Sequence, residues 1–238
     1  MPDPFFYGCW PVRPEAKPSI ELEYFDRGPS LMLECTQLSG TASRQTKVIA
    51  EWCSFFTSST DIVDDLYVST RIPVRLFDAI CEHRGIRKLG YKWGPIKDLS
   101  PISNLQGLTH LGIGSCSITD LSPVGSLDKL EMLSIENADR VSDYSPLGDL
   151  HKLEFLHIDG SPHSSNKKIP MESLEFIGAL DNLRGLSVGY AKIEDKEWPN
   201  HLIKMDRLEQ LFVPESTPPE TRASILKSLP NLRLHNLG

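Results

Sequence analysis

Leu127-Asp-Lys-Leu130-Glu-Met-Leu133-Ser-Ile135 is the stretch whose reading decides the fold. Its apolar residues stand three, three and two positions apart. The same spacing returns in Leu105-Leu108-Leu111-Ile113, Leu150-Leu153-Leu156-Ile158 and Leu180-Leu183-Leu186-Val188. A turn such as Ile118-Thr-Asp-Leu-Ser-Pro-Val124 follows each set. Self-similarity at about 22 residues describes a solenoid. One short strand and one connecting arc make a coil that cannot bury its own apolar face, so coils must stack.

Working outward, Val63-Leu66-Val68 and Ile86-Leu89-Tyr91 extend the strand pattern toward the N-terminus, with a helical turn over Val74–Ile80 between them. The first strand anchors are then Val63, Ile86, Leu108, Leu130, Leu153, Leu183, Leu208 and Leu229, at steps of 23, 22, 22, 23, 30, 25 and 21 residues. The 30-residue step holds an insertion, Ser161 to Pro170, whose Pro, Ser and Asn content predicts a surface loop. The 25-residue step has its extra residues around Trp198-Pro199, and Glu220 to Leu229 reads as a convex-side helix opened by Pro218-Pro219.

The first sixty residues do not repeat. Ile20, Leu22 and Tyr24 alternate with Glu21, Glu23 and Phe25; after Asp26-Arg-Gly-Pro29, Leu31, Leu33 and Cys35 alternate again, which predicts a β-hairpin. Val48, Ile49, Trp52, Cys53 and Phe56 fall on one helical face. The expectation is two regions: residues 1–60 as a hairpin-plus-helix cap, and 61–238 as a solenoid of about eight repeats. The cap would shield an apolar cross-section and a sheet edge. The end after Leu229–Leu234 shows no comparable cap, so the alternative to a binding module is a self-assembling unit, a homodimer through that edge strand.

The coils around Ile96-Lys-Asp-Leu-Ser-Pro-Ile102, Ile118-Thr-Asp-Leu-Ser-Pro-Val124 and Val141-Ser-Asp-Tyr-Ser-Pro-Leu147 resemble the repeats of internalins and related bacterial leucine-rich-repeat proteins. The resemblance covers about residues 60–238 and implies an α/β repeat fold: a curved parallel sheet on the concave side, turns and short helices on the convex side. It implies a scaffold rather than a reaction. One departure stands out. The position held in the family by an asparagine ladder is Gly94, Cys116, Ala138, Ser161, Ala191 and Ser216 here, so other groups must satisfy the backbone at that bend.

Composition removes several classes. With 25 Lys and Arg against 32 Asp and Glu the net charge is −7, the opposite of a phosphate-backbone binder, so no nucleic-acid partner is expected. Cys9, Cys35, Cys53, Cys81 and Cys116 are odd in number and show no C-x-x-C spacing. Reduced, mostly buried thiols in a reducing compartment follow. Neither a signal peptide nor a bilayer-spanning apolar run is present, so a cytoplasmic protein without a membrane partner is expected. No G-x-S-x-G, P-loop or H-E-x-x-H occurs, and neither enzymatic activity nor a cofactor is expected. His157 and Asp159 with His163 could suggest a metal, but no second convergent pair joins them. Lys167-Lys168 reads as a solvated loop tip.

Binding is expected on the concave sheet, where residues between the anchors point outward. One outward column runs Asp65, Lys88, His110, Met132, Phe155, Gly185, Gln210, Asn231; the next, Tyr67, Gly90, Gly112, Ser134, His157, Ser187, Phe212, Arg233; a third includes Lys92, Gly114, Glu136, Asp159 and Gly189. The predicted partner-binding residues are Tyr67, Lys88, His110, Met132, Glu136, Phe155, His157, Asp159, Gln210, Phe212 and Arg233. Aromatic and Met anchors inside a polar rim suit a protein partner. The plainer reading is that isolated exposed apolar residues are ordinary and that the first sixty residues cover part of the face.

Overall fold

The computed structural model describes residues 16–36, 41–59, 62–160 and 168–238. Ten strands form one parallel sheet. In spatial order they are β1 (Pro18–Ser19), β2 (Ser30–Leu33), β3 (Asp65–Arg71), β4 (Lys88–Trp93), β5 (His110–Ser115), β6 (Met132–Glu136), β7 (Phe155–Asp159), β9 (Gly185–Ser187), β11 (Gln210–Phe212) and β12 (Leu234–His235). At about 4.8 Å per strand the sheet's spine is about 43 Å long. A second, two-stranded parallel sheet pairs β8 (Ile169–Met171) with β10 (Ala191–Ile193).

Each coil closes over aliphatic side chains that water does not reach. Leu105, Leu108, Leu111 and Ile113, with their equivalents Leu127, Leu130, Leu133 and Ile135, belong to one continuous buried cluster running the length of the molecule. The turns explain the Asp-x-Ser-Pro motif. Asp98, Asp120 and Asp143 each accept the backbone N–H of the serine two residues on, at 2.8 Å. Proline then occupies the first helical turn, where an N–H is dispensable. The serine O–H and N–H groups together hold all three carboxyls below the ordinary aspartate range. In the following coil Ser173 does the same work, its Oγ accepting the Glu175 N–H at 3.0 Å. At the departed asparagine position Cys116 and Ala138 are buried, and the next N–H, of Ser117, donates to the Ile96 carbonyl at 2.9 Å.

The N-terminal hairpin is not formed. β1 pairs parallel with β2 (Pro18 opposite Met32), and β2 pairs parallel with β3, so the sheet of the solenoid continues into this region. The alternation misleads because Phe25, not Tyr24, is the buried member. Its ring meets Trp52 at 5.8 Å and Phe55 at 5.7 Å, while Tyr24 is 74% exposed. Leu22–Tyr24 is a 3₁₀ turn, and Asp26 Oδ1 accepts the Gly28 N–H with Arg27 at φ 62°. The helix is present as α1 (Ala42–Ser58), with Thr41 capping through the Arg44 N–H; Val48, Ile49, Trp52, Phe55 and Phe56 are its buried stripe, and Cys53 is only partly covered. It packs on α2 (Val74–Cys81).

Two further readings change. The insertion is not loop throughout: Ile169 and Pro170 join β8, while 161–167 lie outside the described residues. The last strand is β12, with Leu234 opposite Gln210, a step of 24. Leu229 matches Met205, and Leu232 matches Leu208, so the anchor assigned to Leu229 is one leucine early. The three-residue spacing within the pattern makes that slip invisible in sequence. Short helices α3 (Ser122–Gly125) and α4 (Trp198–Leu202), and the longer α5 (Pro219–Ser228), lie on the convex side.

Candidate functional site on the concave sheet

The sheet register sets the rows of this face. Lys88, His110, Met132, Phe155, Gly185 and Gln210 stand side by side, and so do Gly112, Ser134, His157, Ser187 and Phe212. Their neighbours along each strand are the core anchors, so alternation turns this set away from the core. Met132, Phe155, Phe212, His110 and Glu136 are partly exposed, and Lys88 is exposed. Other predicted residues lie deeper. Tyr67 is 3%, Asp159 8% and Gln210 9% exposed, although none belongs to the apolar core cluster. Arg233 is exposed but precedes β12, so it does not stand beside Phe212.

Asp159 and Gln210 are recessed for different reasons. Asp159 is the end of a hydrogen-bonded chain. His157 Nδ1 lies 2.9 Å from Ser134 Oγ, and His157 Nε2 lies 3.4 Å from Asp159 Oδ2. Asp159 also accepts from Ser187 Oγ at 2.9 Å and from the Tyr190 N–H at 2.5 Å. The carboxylate favours the proton on Nε2, leaving Nδ1 to accept from the serine. By residue type this is a Ser-His-Asp set. With Ser134 only 3% exposed, it holds the imidazole and carboxylate in place instead of presenting a nucleophile. Gln210, by contrast, carries a buried Oε1 with no hydrogen-bond partner among the described residues.

His110 is fixed similarly. Thr109 Oγ1 donates to the Arg87 carbonyl at 3.2 Å and stands 2.9 Å from His110 Nδ1. Burial first, and the Lys88 charge second, push this imidazole below its ordinary value, so it is neutral at pH 7. Gly114 is bare for a packing reason: a Cβ there would stand 1.9 Å from the Lys92 carbonyl oxygen. It serves close coil stacking.

Sequence reasoning missed the row just ahead of the strands: Asp64, Arg87, Thr109, Glu131, Glu154, Arg184, Glu209 and Arg233. Arg184 bridges Glu154 at 3.1 Å and Glu209 at 3.2 Å while its guanidinium lies 5.5 Å from the Phe155 ring centroid. Arg87 pairs with Asp64 at 3.7 Å. The signal was available, because a charged residue recurs immediately before most strands at the repeat period.

The C-terminal edge is two residues long and stitched down. Arg222 donates to the carbonyls of Pro214, Glu215, Thr217 and Asn236, and the Asn236 amide holds both the N–H and the carbonyl of Val213. Leu237 is buried beside it. An edge this short offers little ladder for a second copy.

Among the described residues, no set of three His, Cys, Asp or Glu is placed to hold a metal, and no helix is long and apolar enough to cross a membrane. Cys35, Cys53, Cys81 and Cys116 are free thiols; Cys9 and His163 lie outside the described residues. Burial raises the thiols of Cys35, to about 12, and Cys116, to about 11. It raises Cys81 as well.

Stacked coils, an open parallel sheet and a decorated concave face define a leucine-rich-repeat solenoid. Its architecture is similar to that of two internalins of Listeria monocytogenes. Against one (inlF) the chain aligns with a TM-score of 0.55 at 17% identity, covering 87% of this chain and 61% of that one. Against internalin C2 the TM-score is 0.52 at 22% identity, covering 75% and 65%. The chain thus spans somewhat under two thirds of the length of these structures. No family model and no curated protein matches the sequence.

Proposed function

We propose that this protein is a non-enzymatic binding module that captures a protein partner on its concave sheet. The observation that carries this is the set Met132, Phe155 and Phe212, apolar side chains left partly exposed on a face whose polar neighbours are held rigidly by hydrogen bonds. Large apolar anchors in a pre-organised polar rim gain binding energy with little ordering cost. Net charge −7 disfavours nucleic acid. Four reduced thiols suit a cytoplasmic setting. Within this class, a toxin-neutralising immunity protein or a regulatory adaptor fits an acidic solenoid of this size. Pairing through β12 is not carried forward, because that edge strand is only two residues long.

The test is affinity capture from native lysate with wild type and with Phe155→Glu/Phe212→Glu. The expected result is a partner retained by wild type and lost by a variant with unchanged melting temperature. An unchanged partner set would overturn the concave-face reading. For the immunity role, co-expression should relieve the toxicity of the captured protein.

A further inference from the structure

Resting on the reading that the concave sheet binds protein, we infer that its central recognition element is an arginine socket over β6 and β7, and that the partner docks there through a basic segment. The row just ahead of the strands carries the argument. Asp64 is paired with Arg87, and both Glu154 and Glu209 with Arg184. Glu131 is the carboxylate of this row without an ion pair among the described residues. It stands between Thr109 and a second carboxylate, Glu154. The Glu154 and Phe155 N–H groups both donate to the Glu131 carbonyl, at 2.8 and 3.1 Å, which sets the two glutamates side by side. Lys129 and Lys152, two residues earlier in their coils, form no ion pair with either of them among the described residues. β6 and β7, with the residue before each, carry Glu131, Glu136, Glu154 and Asp159 and neither lysine nor arginine. Like charges one strand spacing apart, about 4.8 Å, repel each other and attract a cation from outside.

The surroundings select the cation. Glu131 is exposed and the Glu154 side chain is 41% exposed, so both carboxylates are open to a partner. Met132, half-buried between His110 and Phe155, is an apolar shelf along which an aliphatic stem can lie. His110, neutral at pH 7, adds no repulsion. The molecule also holds its own template. From the β9 side, Arg184 sets its guanidinium 5.5 Å from the Phe155 ring centroid while it bonds Glu154 and Glu209 at 3.1 and 3.2 Å. On the β6 side the same combination of carboxylate and apolar surface recurs in Glu131, Glu154 and Met132, with no arginine from this chain. A planar guanidinium fork can bond two neighbouring carboxylates, whereas a lysine ammonium is a point charge on a flexible stem. The net charge of −7 steers a basic segment toward the molecule.

The experiment titrates the full chain at low salt with the blocked hexapeptide Gly-Arg-Gly-Arg-Gly-Arg, followed by NMR, and separately with its lysine and glutamate counterparts. The arginine peptide should move the Met132 methyl and the Glu131 and Glu154 backbone amides. The lysine peptide should bind more weakly, and the glutamate peptide should leave those signals in place. Glu131→Gln should weaken the arginine peptide about threefold at unchanged melting temperature. Glu194→Gln, the same charge change beside β10 and off the concave sheet, should weaken it little. Equal losses from the two variants would reduce the effect to overall charge and overturn the socket. Equal affinities for the arginine and lysine peptides would overturn the choice of arginine. Lysate capture separates this inference from the reading beneath it, with Glu131→Arg filling the socket from within. A partner lost by Phe155→Glu/Phe212→Glu but kept by Glu131→Arg would overturn the socket and leave the concave face standing, and a partner kept by both variants would overturn both.

Discussion

Between Lys88 and Asp159 the strands recur every 22 or 23 residues, and three successive turns carry the same aspartate–serine lock. Beyond Gly160 the steps lengthen to 30, 25 and 24, the strands shorten to two or three residues, and a Ser173 cap replaces the aspartate lock in one coil before Asp195 restores it on the Glu197 N–H. The leucine anchors are buried as far as Leu211, while Leu232 in the last coil is only partly buried. What differs is how the backbone outside the anchors is satisfied. The regular coils use one local device repeatedly, whereas the C-terminal coils keep local caps at Ser173 and Asp195 and add long-range bonds: Asn236 reaching Val213, Arg222 gathering four carbonyls, Arg184 bridging two strands. Local devices repeat in sequence and are legible; long-range ones appear once each.

The sharpest way to break this comparison is to empty equivalent anchors. Leu133→Ala, in the middle of the stack, should cost about 3–4 kcal/mol, and Leu211→Ala about 2–3 kcal/mol, because a coil near an end collapses around the cavity more easily. Urea unfolding of both variants measures the difference, and equal costs would mean the two regions are equally consolidated. Arg222→Ala should cost about 2 kcal/mol by leaving buried carbonyls without a donor. Hydrogen exchange should show faster opening of β11 and β12 with β4–β7 unchanged, while Arg222→Lys, lacking the planar fork, should not restore protection.

A smaller effect separates the regions by pH. The Asp98, Asp120 and Asp143 carboxyls titrate lower when folded than when unfolded, because serine N–H and O–H groups bond the charged form. Their contribution is therefore present above the unfolded value of about 3.9 and is lost as pH falls through the lower folded values. Replacing all three by Asn should lower the neutral plateau of a melting-temperature profile and so flatten its acid limb, with the melting temperature at the most acid pH little changed. The smallest effect concerns thiols. Of the four described cysteines, partly exposed Cys53 should be alkylated first in the native state, with Cys35, Cys81 and Cys116 protected until unfolding; mass spectrometry of a timed iodoacetamide reaction reads the order.

The candidate site was legible in part. Period and alternation placed Lys88, His110, Met132, Phe155 and Phe212 on one face, because side-chain direction along a strand is a local property. They could not place Arg233, since a pattern whose leucines repeat every three residues reads equally well one leucine out of step, and only pairing with Gln210 and Leu211 sets the register. Nor could they foresee that Asp159 lies under Ser187 and Tyr190, twenty-eight and thirty-one residues away.

The stacking of coils, the inward leucines and the Asp-x-Ser-Pro turns were determined by the sequence alone, since each rests on spacing between near neighbours. Tertiary structure alone decided that the N-terminal strands run parallel with the solenoid, because Phe25 reaches the aromatic stripe of α1. It alone also left an orphan acceptor beside a glycine one strand in from the C-terminal edge of the concave sheet. Whether a polar atom finds a partner depends on which distant strand lies beside it, and a repeat pattern carries no record of that pairing.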